Sequence, residues 1–349
     1  MTVGSFRLRT SDFKLPTVLT AAGVAIIIYS WVRGLEVLFV SVVQPPGWEI
    51  RSLSHTILAM AFGVAVYLWL DLRTTRTSLT SLERSQLVLE TQLALAGEIQ
   101  RRLLPPVPTG RNHVRWAGRL EPAWTVGGDF YDFIPTGRDG TLVVVGDVSG
   151  KGIPAALLQA SAHSLFRTLS RETSEPDDLV ARVSKEIYEE NGGSLYLTCL
   201  VARVDGGDGS LVYANAGHPA GLLLGRSGRR LLSRGGPPAG MFADSVYESE
   251  MLTVEPGDLG VMVTDGITEA IEQNGVSAVD RLDATIATVP APRTPERVCD
   301  TLMSLADRSA GPAGVPDWQD DKTVLAFLVE GGPIKESPLA PAISSEPVR

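Results

Sequence analysis

"VVVGDVSGKGIPAALL", residues 143–158, runs from an unbroken apolar segment through an acid, two nearby glycines and a lysine into a helix-like pattern. A nucleotide-cradling loop of the Walker A kind needs two glycines with four residues between them, then a lysine and a hydroxyl residue. Here Gly146 and Gly150 are one residue too close, and Gly152 stands where the hydroxyl belongs. The dinucleotide-binding glycine fingerprint is missing too, and "GDVSG" is not the elbow that presents a nucleophilic serine, which leaves Ser149 without an activating context. The residue left with a chemical role is Asp147, at the end of the apolar run.

Asp147 has counterparts. Asp129 lies in "VGGDFYDF" just before another β-like run, Asp265 ends "GVMVTD", and Asp320 with Asp321 precedes "KTVLAFLV". One acid at a strand end is an ordinary turn residue. Four in one domain imply convergence, and converging carboxylates repel one another unless hard cations with a preference for oxygen ligands neutralise them. Mg²⁺ or Mn²⁺ fits this set better than zinc, because no clustered His or Cys accompanies it. Around these acids, short β-like runs divided by Gly, Asp and Pro come in succession, with helical patterns at about 153–169, 176–190, 278–288 and 294–309. Helices in blocks, not after every strand, predict a layered α+β domain and exclude a doubly wound parallel sheet.

The motifs "EIQRRLLPPVP", "VGGDFYDF", "VVGDVSGKGIPAALL", "NAGHPAGLLL", "VTDGITEA" and "DDKTVLAF" follow one another in this order over about two thirds of the chain. In this the sequence resembles the SpoIIE/RsbU-like branch of the metal-dependent, PPM-type serine/threonine protein phosphatases. The resemblance implies an α-β-β-α sandwich of two antiparallel sheets flanked by helices, holding two divalent cations, Mn²⁺ or Mg²⁺, at one end. It implies Asp147 as the carboxylate bridging both metals, the Val148 carbonyl as a neighbouring ligand, Asp265 and Asp320 as further acidic ligands, and Asp129 beside them. Asp132, Lys151, His218 and Asp321 are expected around this set, in contact with substrate or in support. Lys151 reads either as a phosphate contact or as a solvated loop residue, and His218 either as a turn histidine or as a catalytic acid. Asp321 follows the acid of its pair that relatives use as ligand, and Glu269 stays undecided. The activity implied is hydrolysis of phosphoserine or phosphothreonine in a regulatory protein by metal-activated water, with a STAS-type anti-sigma-factor antagonist as the expected substrate. A catalytically silent scaffold of the same fold is the alternative.

Upstream, two apolar runs, about 16–43 and 53–70, each have the length a membrane-crossing helix needs. Arg7, Arg9 and Lys14 precede the first, Arg73 and Arg76 follow the second, and the connector "QPPGWEIRS" carries only Arg51. The positive-inside rule then places both ends, and the domain that follows, in the cytoplasm, as a multi-pass protein of the cytoplasmic membrane. Arg33 and Glu36 either mark the end of the first span or pair within it. Leu79, Leu82, Gln86, Leu89, Leu93, Ala96, Gln100 and Leu103 follow at alternating spacings of three and four, the mostly apolar seam of a parallel coiled coil, which predicts a homodimer. The expected organisation is an anchor over 1–75, a helical linker over 76–105, the phosphatase-like domain over 106–331 and a Pro- and Ser-rich disordered tail over 332–349. A net charge of −9 without a basic stripe excludes a nucleic-acid-binding body, and two distant cysteines exclude a disulfide framework.

Overall fold

The computed structural model describes residues 23, 28–35, 48–108, 113–137, 140–272, 276–309 and 320–331. The expected tail and most of the first apolar run lie outside them. The chain divides into two compact units, Met1–Thr91 and Gln92–Arg349.

In the first unit, the second apolar run belongs to a helix, Trp48–Leu103, that also contains the expected linker as far as Leu103. It continues unbroken because no Gly or Pro occurs between Val64 and Ala96, and it stops just before Pro105. Ile57, Leu58, Met60, Phe62 and Trp69 each expose more than half of their surface. Among the described residues this is the one helix long and apolar enough to cross a membrane.

The second unit contains two sheets. One orders its strands β1 (Val114–Glu121), β11 (Lys322–Val329), β10 (Leu259–Val263), β6 (Gly221–Gly225) and β7 (Gly228–Leu232). The other runs β2 (Phe130–Thr136), β3 (Gly140–Val148), β4 (Leu197–Asp205), β5 (Ser210–Ala216) and β8 (Gly235–Gly236), with β9 (Glu250–Thr253) also on β5. Every pairing is antiparallel except the two-residue β5–β8 contact, a departure from the purely antiparallel expectation.

Three apolar layers hold the sandwich. Trp116, Phe133, Val143, Val145, Tyr213, Met262 and Phe327 fill the space between the sheets. Phe130, Leu142 and Val144 face the helices Ile153–Leu169 and Pro176–Asn191 through Ala162, Phe166, Leu179 and Val183. Val261, Val263 and Val324 face Asp265–Ile271, Ala278–Ala287 and Pro295–Ser309 through Ile267, Leu282, Cys299 and Leu302. The run Leu142–Val145 shows no polar alternation because consecutive residues face two different cores.

Packing between the sheets leaves no slack at Gly260, which lies opposite Phe327 in the β10–β11 register. A Cβ there would stand 2.0 Å from the Phe327 ring. Gly260→Ala is expected to destabilise the domain by about 1–3 kcal/mol, the usual cost of overpacking, and Phe327→Leu in the same chain to recover part of the loss. Chemical denaturation of the two single variants and the double variant measures this, and strictly additive losses would contradict it.

Candidate metal centre

Strand β3 delivers Asp147 to the end of its sheet, one residue before the strand finishes at Val148. The chain then turns through Gly150 and Gly152, both at positive φ (92° and 75°), a region that side chains with a Cβ rarely occupy. Ser149 continues the sheet edge: its N–H donates to the Tyr196 carbonyl, and its Oγ accepts from the Tyr196 N–H, each at 2.9 Å. Its hydroxyl is thereby tied to backbone. Lys151 lies on the loop with Nζ 3.2 Å from Asp320 Oδ2.

Asp129 enters from the other side of the loop, just before β2, and is buried. Its Oδ2 accepts hydrogen bonds from Thr264 Oγ1 (2.7 Å) and Thr323 Oγ1 (2.6 Å), residues of the opposite sheet's end. Its Oδ1 is buried and makes no hydrogen bond of good geometry. Burial, reinforced by the charges of Asp147 and Asp321, holds the Asp129 carboxyl well above the usual carboxylate range, against the two threonine hydroxyls. Burial likewise lifts Asp147 to about 8, with Asp265, Asp320 and Asp321 adding to the rise and a hydrogen bond shared with Asp129 opposing it. Asp265, the first residue of its helix, is also raised by burial and then by Asp320 and Glu269, while the Gly266 N–H and Lys151 act the other way.

Asp321 does something different from its neighbour. Its Oδ1 accepts from the Ala123 N–H (2.7 Å), and its Oδ2 accepts from the N–H groups of Gly128 (2.6 Å) and Asp129 (3.3 Å). It holds the "VGGD" loop in place and is spent on backbone. The loop needs glycine here because a Cβ on Gly127 would fall 2.4 Å from the Asp321 carboxylate. At Gly128 the added atom would press on the Val148 carbonyl at 3.0 Å, with Asp147 Oδ1 at 3.4 Å, so the loop backbone lies directly against the β3 end.

Three residues to which the sequence assigns no role complete the surroundings. Gln100 donates from Nε2 to the Gly127 carbonyl (3.0 Å) and to Gln159 Oε1 (3.1 Å), while its Oε1 accepts from the Gly127 N–H (3.1 Å). The cue in the sequence was a glutamine among the apolar positions of the linker pattern. Thr264 and Thr323 give no cue beyond their adjacency to acids. Asp132, expected in support of the site, is buried under the Ile153–Leu169 helix. There Arg167 grips it from Nε (2.7 Å) and Nη2 (2.9 Å), and His163 Nε2 lies 3.3 Å from it without hydrogen-bond geometry. It fastens the helix that follows the loop.

The fold thus brings Asp129, Asp147, Asp265, Asp320 and the Val148 carbonyl to one end of the sandwich, within range of each other's charge. Among the described residues no three Asp, Glu, His or Cys side chains close into a ready ligand shell. A cavity of about 1090 Å³ lies elsewhere, between Pro105–Pro108, the end of β2 and the Ser170–Ser174 turn, and includes none of the acids. All the donors at the acidic end are hard oxygens, and the buried Asp129 Oδ1 makes no hydrogen bond of good geometry. These residues fit Mg²⁺ or Mn²⁺ and not a thiolate- or imidazole-seeking metal.

Comparison with known proteins gives the same direction. The sequence model of the family described as Stage II sporulation protein E (SpoIIE) matches residues 137–330, more than half of the chain. The chain is 28% identical over 207 residues to protein IcfG of Synechocystis sp., covering 51% of this chain and 33% of that protein. It is 24% identical over 189 residues to phosphoserine phosphatase RsbU of Bacillus subtilis, covering 54% of this chain and 56% of RsbU. The matches therefore span between a third and about half of these relatives' lengths. In three dimensions the SiaA-PP2C domain of Pseudomonas aeruginosa superposes with a TM-score of 0.58 at 21% identity, over 70% of this chain and 98% of that one.

Electrostatic strain at the acidic end has a measurable consequence. The Asp147 carboxyl is raised on folding, so its contribution favours the folded state at low pH and is lost as pH climbs from about 4, its unfolded value, towards about 8. With chelator present, Asp147→Asn is expected to melt higher than wild type at pH 8, by a margin that shrinks steadily towards pH 4. Thermal melts across this range test it, and a margin independent of pH would remove charge repulsion as the cause.

Proposed function

The chain belongs to the SpoIIE family, and from that membership we propose that it is a metal-dependent protein serine/threonine phosphatase. The observation that carries the reading is the acidic end itself, four carboxylates raised or crowded by burial and mutual charge with one buried oxygen, Asp129 Oδ1, without a hydrogen bond of good geometry.

Asp147, the Val148 carbonyl, Asp265, Asp320 and Asp129 would hold two divalent cations, Mn²⁺ or Mg²⁺. Such ions, when bound, supply charge neutralisation for a phosphoryl group and lower the pKa of water. The chain's own residues prepare the place. Asp321 and Gln100 fix the "VGGD" loop against the end of β3, which sets the distance between Asp129 and Asp147. Lys151, paired with Asp320 at the rim, is placed to meet an incoming phosphate. Ser149, with its hydroxyl committed to Tyr196, supplies no nucleophile, so attack by water is the economical route.

The substrate class we propose is a phosphoserine or phosphothreonine in a regulatory protein, with a STAS-type anti-sigma-factor antagonist as the leading candidate; RsbU, a phosphoserine phosphatase by name, supports that class. We place the chain at the cytoplasmic membrane as a multi-pass protein with its catalytic domain in the cytoplasm. Two observations support the anchor: the exposed apolar residues of the Trp48–Leu103 helix, and the Arg73 guanidinium 5.2 Å above the Trp69 ring, a pairing suited to a membrane boundary. The exposed Leu79, Leu82 and Leu89 favour pairing with a second copy through the linker. The proposed organisation remains an anchor over 1–75, a linker over 76–105, a phosphatase domain over 106–331 and a tail over 332–349.

With the full chain purified in detergent, a phosphoserine peptide is expected to be hydrolysed with Mn²⁺ and not with chelator. Asp147→Asn is expected to lose activity by about 100-fold or more, as removal of several kcal/mol of charge stabilisation requires, while Ser149→Ala stays within about tenfold of wild type. Absence of Mn²⁺-dependent hydrolysis by the folded wild-type chain would favour the silent scaffold instead.

A further inference from the structure

The "NAGHP" motif has no part in the acid set, yet it lies where the chain passes from one sheet to the other. β5 belongs to one sheet and β6 to its neighbour, and Gly217–Ala220 is the crossover between them. Asn215, buried, closes this crossover with its side chain. Its Oδ1 accepts from the His218 N–H (2.7 Å), and its Nδ2 donates to the carbonyls of His218 (3.0 Å) and Leu232 (3.2 Å). Backbone so fully committed holds the His218 ring in one place.

The ring is buried near the start of β4 and the end of β10. On one side Nδ1 is 3.0 Å from Thr198 Oγ1. Thr198 is the register partner of Asp147 across β3 and β4, and its Oγ1 is 3.4 Å from the Asp147 carbonyl. On the other side is the carbonyl of Val263, two residues before Asp265. Nε2 makes no hydrogen bond of good geometry, and Thr198 Oγ1, with one proton for two neighbours, serves either Nδ1 or the Asp147 carbonyl. Burial drives the ring's basicity far down, to about 3.

We infer that His218 is a positioning residue: a spacer at the crossover between the two sheets that touches Thr198, the partner of Asp147, lies near Val263, two residues before Asp265, and sets the separation of these two acids. A second set of ties, Thr264 and Thr323 on Asp129, does the same from the opposite direction, so the acidic end is fixed across the gap between sheets at two places. The inference rests on the phosphatase reading for its consequence in turnover, but its effect on cation binding does not depend on it.

The test uses the full chain in detergent, with His218→Phe, which keeps bulk and loses both ring nitrogens, and the near-isosteric Thr198→Val, which removes one hydroxyl and preserves folding. Mn²⁺ binding is measured by calorimetry, and kcat, KM and the pH–rate profile are measured on a phosphoserine peptide. Each variant is expected to weaken Mn²⁺ binding by about tenfold, the size typical of residues that orient ligands, with kcat lowered, KM for the peptide nearly unchanged and the shape of the pH profile retained. The double variant is expected to lose less than the product of the single losses, because both act through one contact. Unchanged Mn²⁺ affinity in both variants would overturn the inference, as would loss of the acid-dependent limb of the pH profile with Mn²⁺ affinity intact, the mark of a proton donor. Should wild type bind Mn²⁺ but hydrolyse nothing, the phosphatase reading fails while the binding data still decide the role of His218.

Discussion

Carboxylates gathered at one end of a sandwich oppose the fold that gathers them. Burial and mutual repulsion push Asp129, Asp147 and Asp265 above their ordinary range, and each upward step is free energy taken from folding. The apolar layers on either side of both sheets supply the opposing stabilisation, roughly in proportion to the apolar area they remove from water. The acidic end is thus a strained region held by a well-packed body, a division of labour common at functional sites.

The holding is done by neutral and backbone groups and not by counter-charge. Threonine hydroxyls take one oxygen of Asp129, Asp321 accepts three backbone N–H groups, and Gln100 pairs both ways with Gly127. Neutral donors orient carboxylates without cancelling their charge, which preserves their attraction for a cation. A lysine or arginine in the same positions would neutralise the set and compete with metal. Lys151 stays at the rim, beside Asp320, and the ion pair of buried Asp132 with half-exposed Arg167 is spent on fastening a helix.

Much of this was legible in the sequence. The helices over 153–169, 176–190, 278–288 and 294–309 fall where expected because each combines apolar periodicity with a start signal, Pro154, Pro176, Ser277 or Pro295. The acids at strand ends stood out because apolar runs ended in them. The division of roles within Asp320–Asp321 did not, since it depends on which backbone lies opposite each residue. Nor did the backbone of Asp132: its place in "FYDF" resembles a site residue, and only its position in β2, on the helix-facing side with Phe130, makes it an anchor. Gln100, Thr264 and Thr323 act through partners more than 25 residues away, which no local pattern encodes.

The pairing of β1 with β11 sets an order on the life of the chain. Val114–Glu121, the first strand of the domain, has Lys322–Val329, the last, as its neighbour over eight residue pairs, and Asp129 waits for the hydroxyl of Thr323. During synthesis the first strand and the loop of Asp129 leave the ribosome with no partner until nearly the whole domain has followed. Contacts this distant in sequence are slow to close and leave apolar edges exposed meanwhile. The domain therefore gains its acidic end only once Lys322–Val329 has emerged, so a chain cut short before Thr323 lacks the place where the cations would bind.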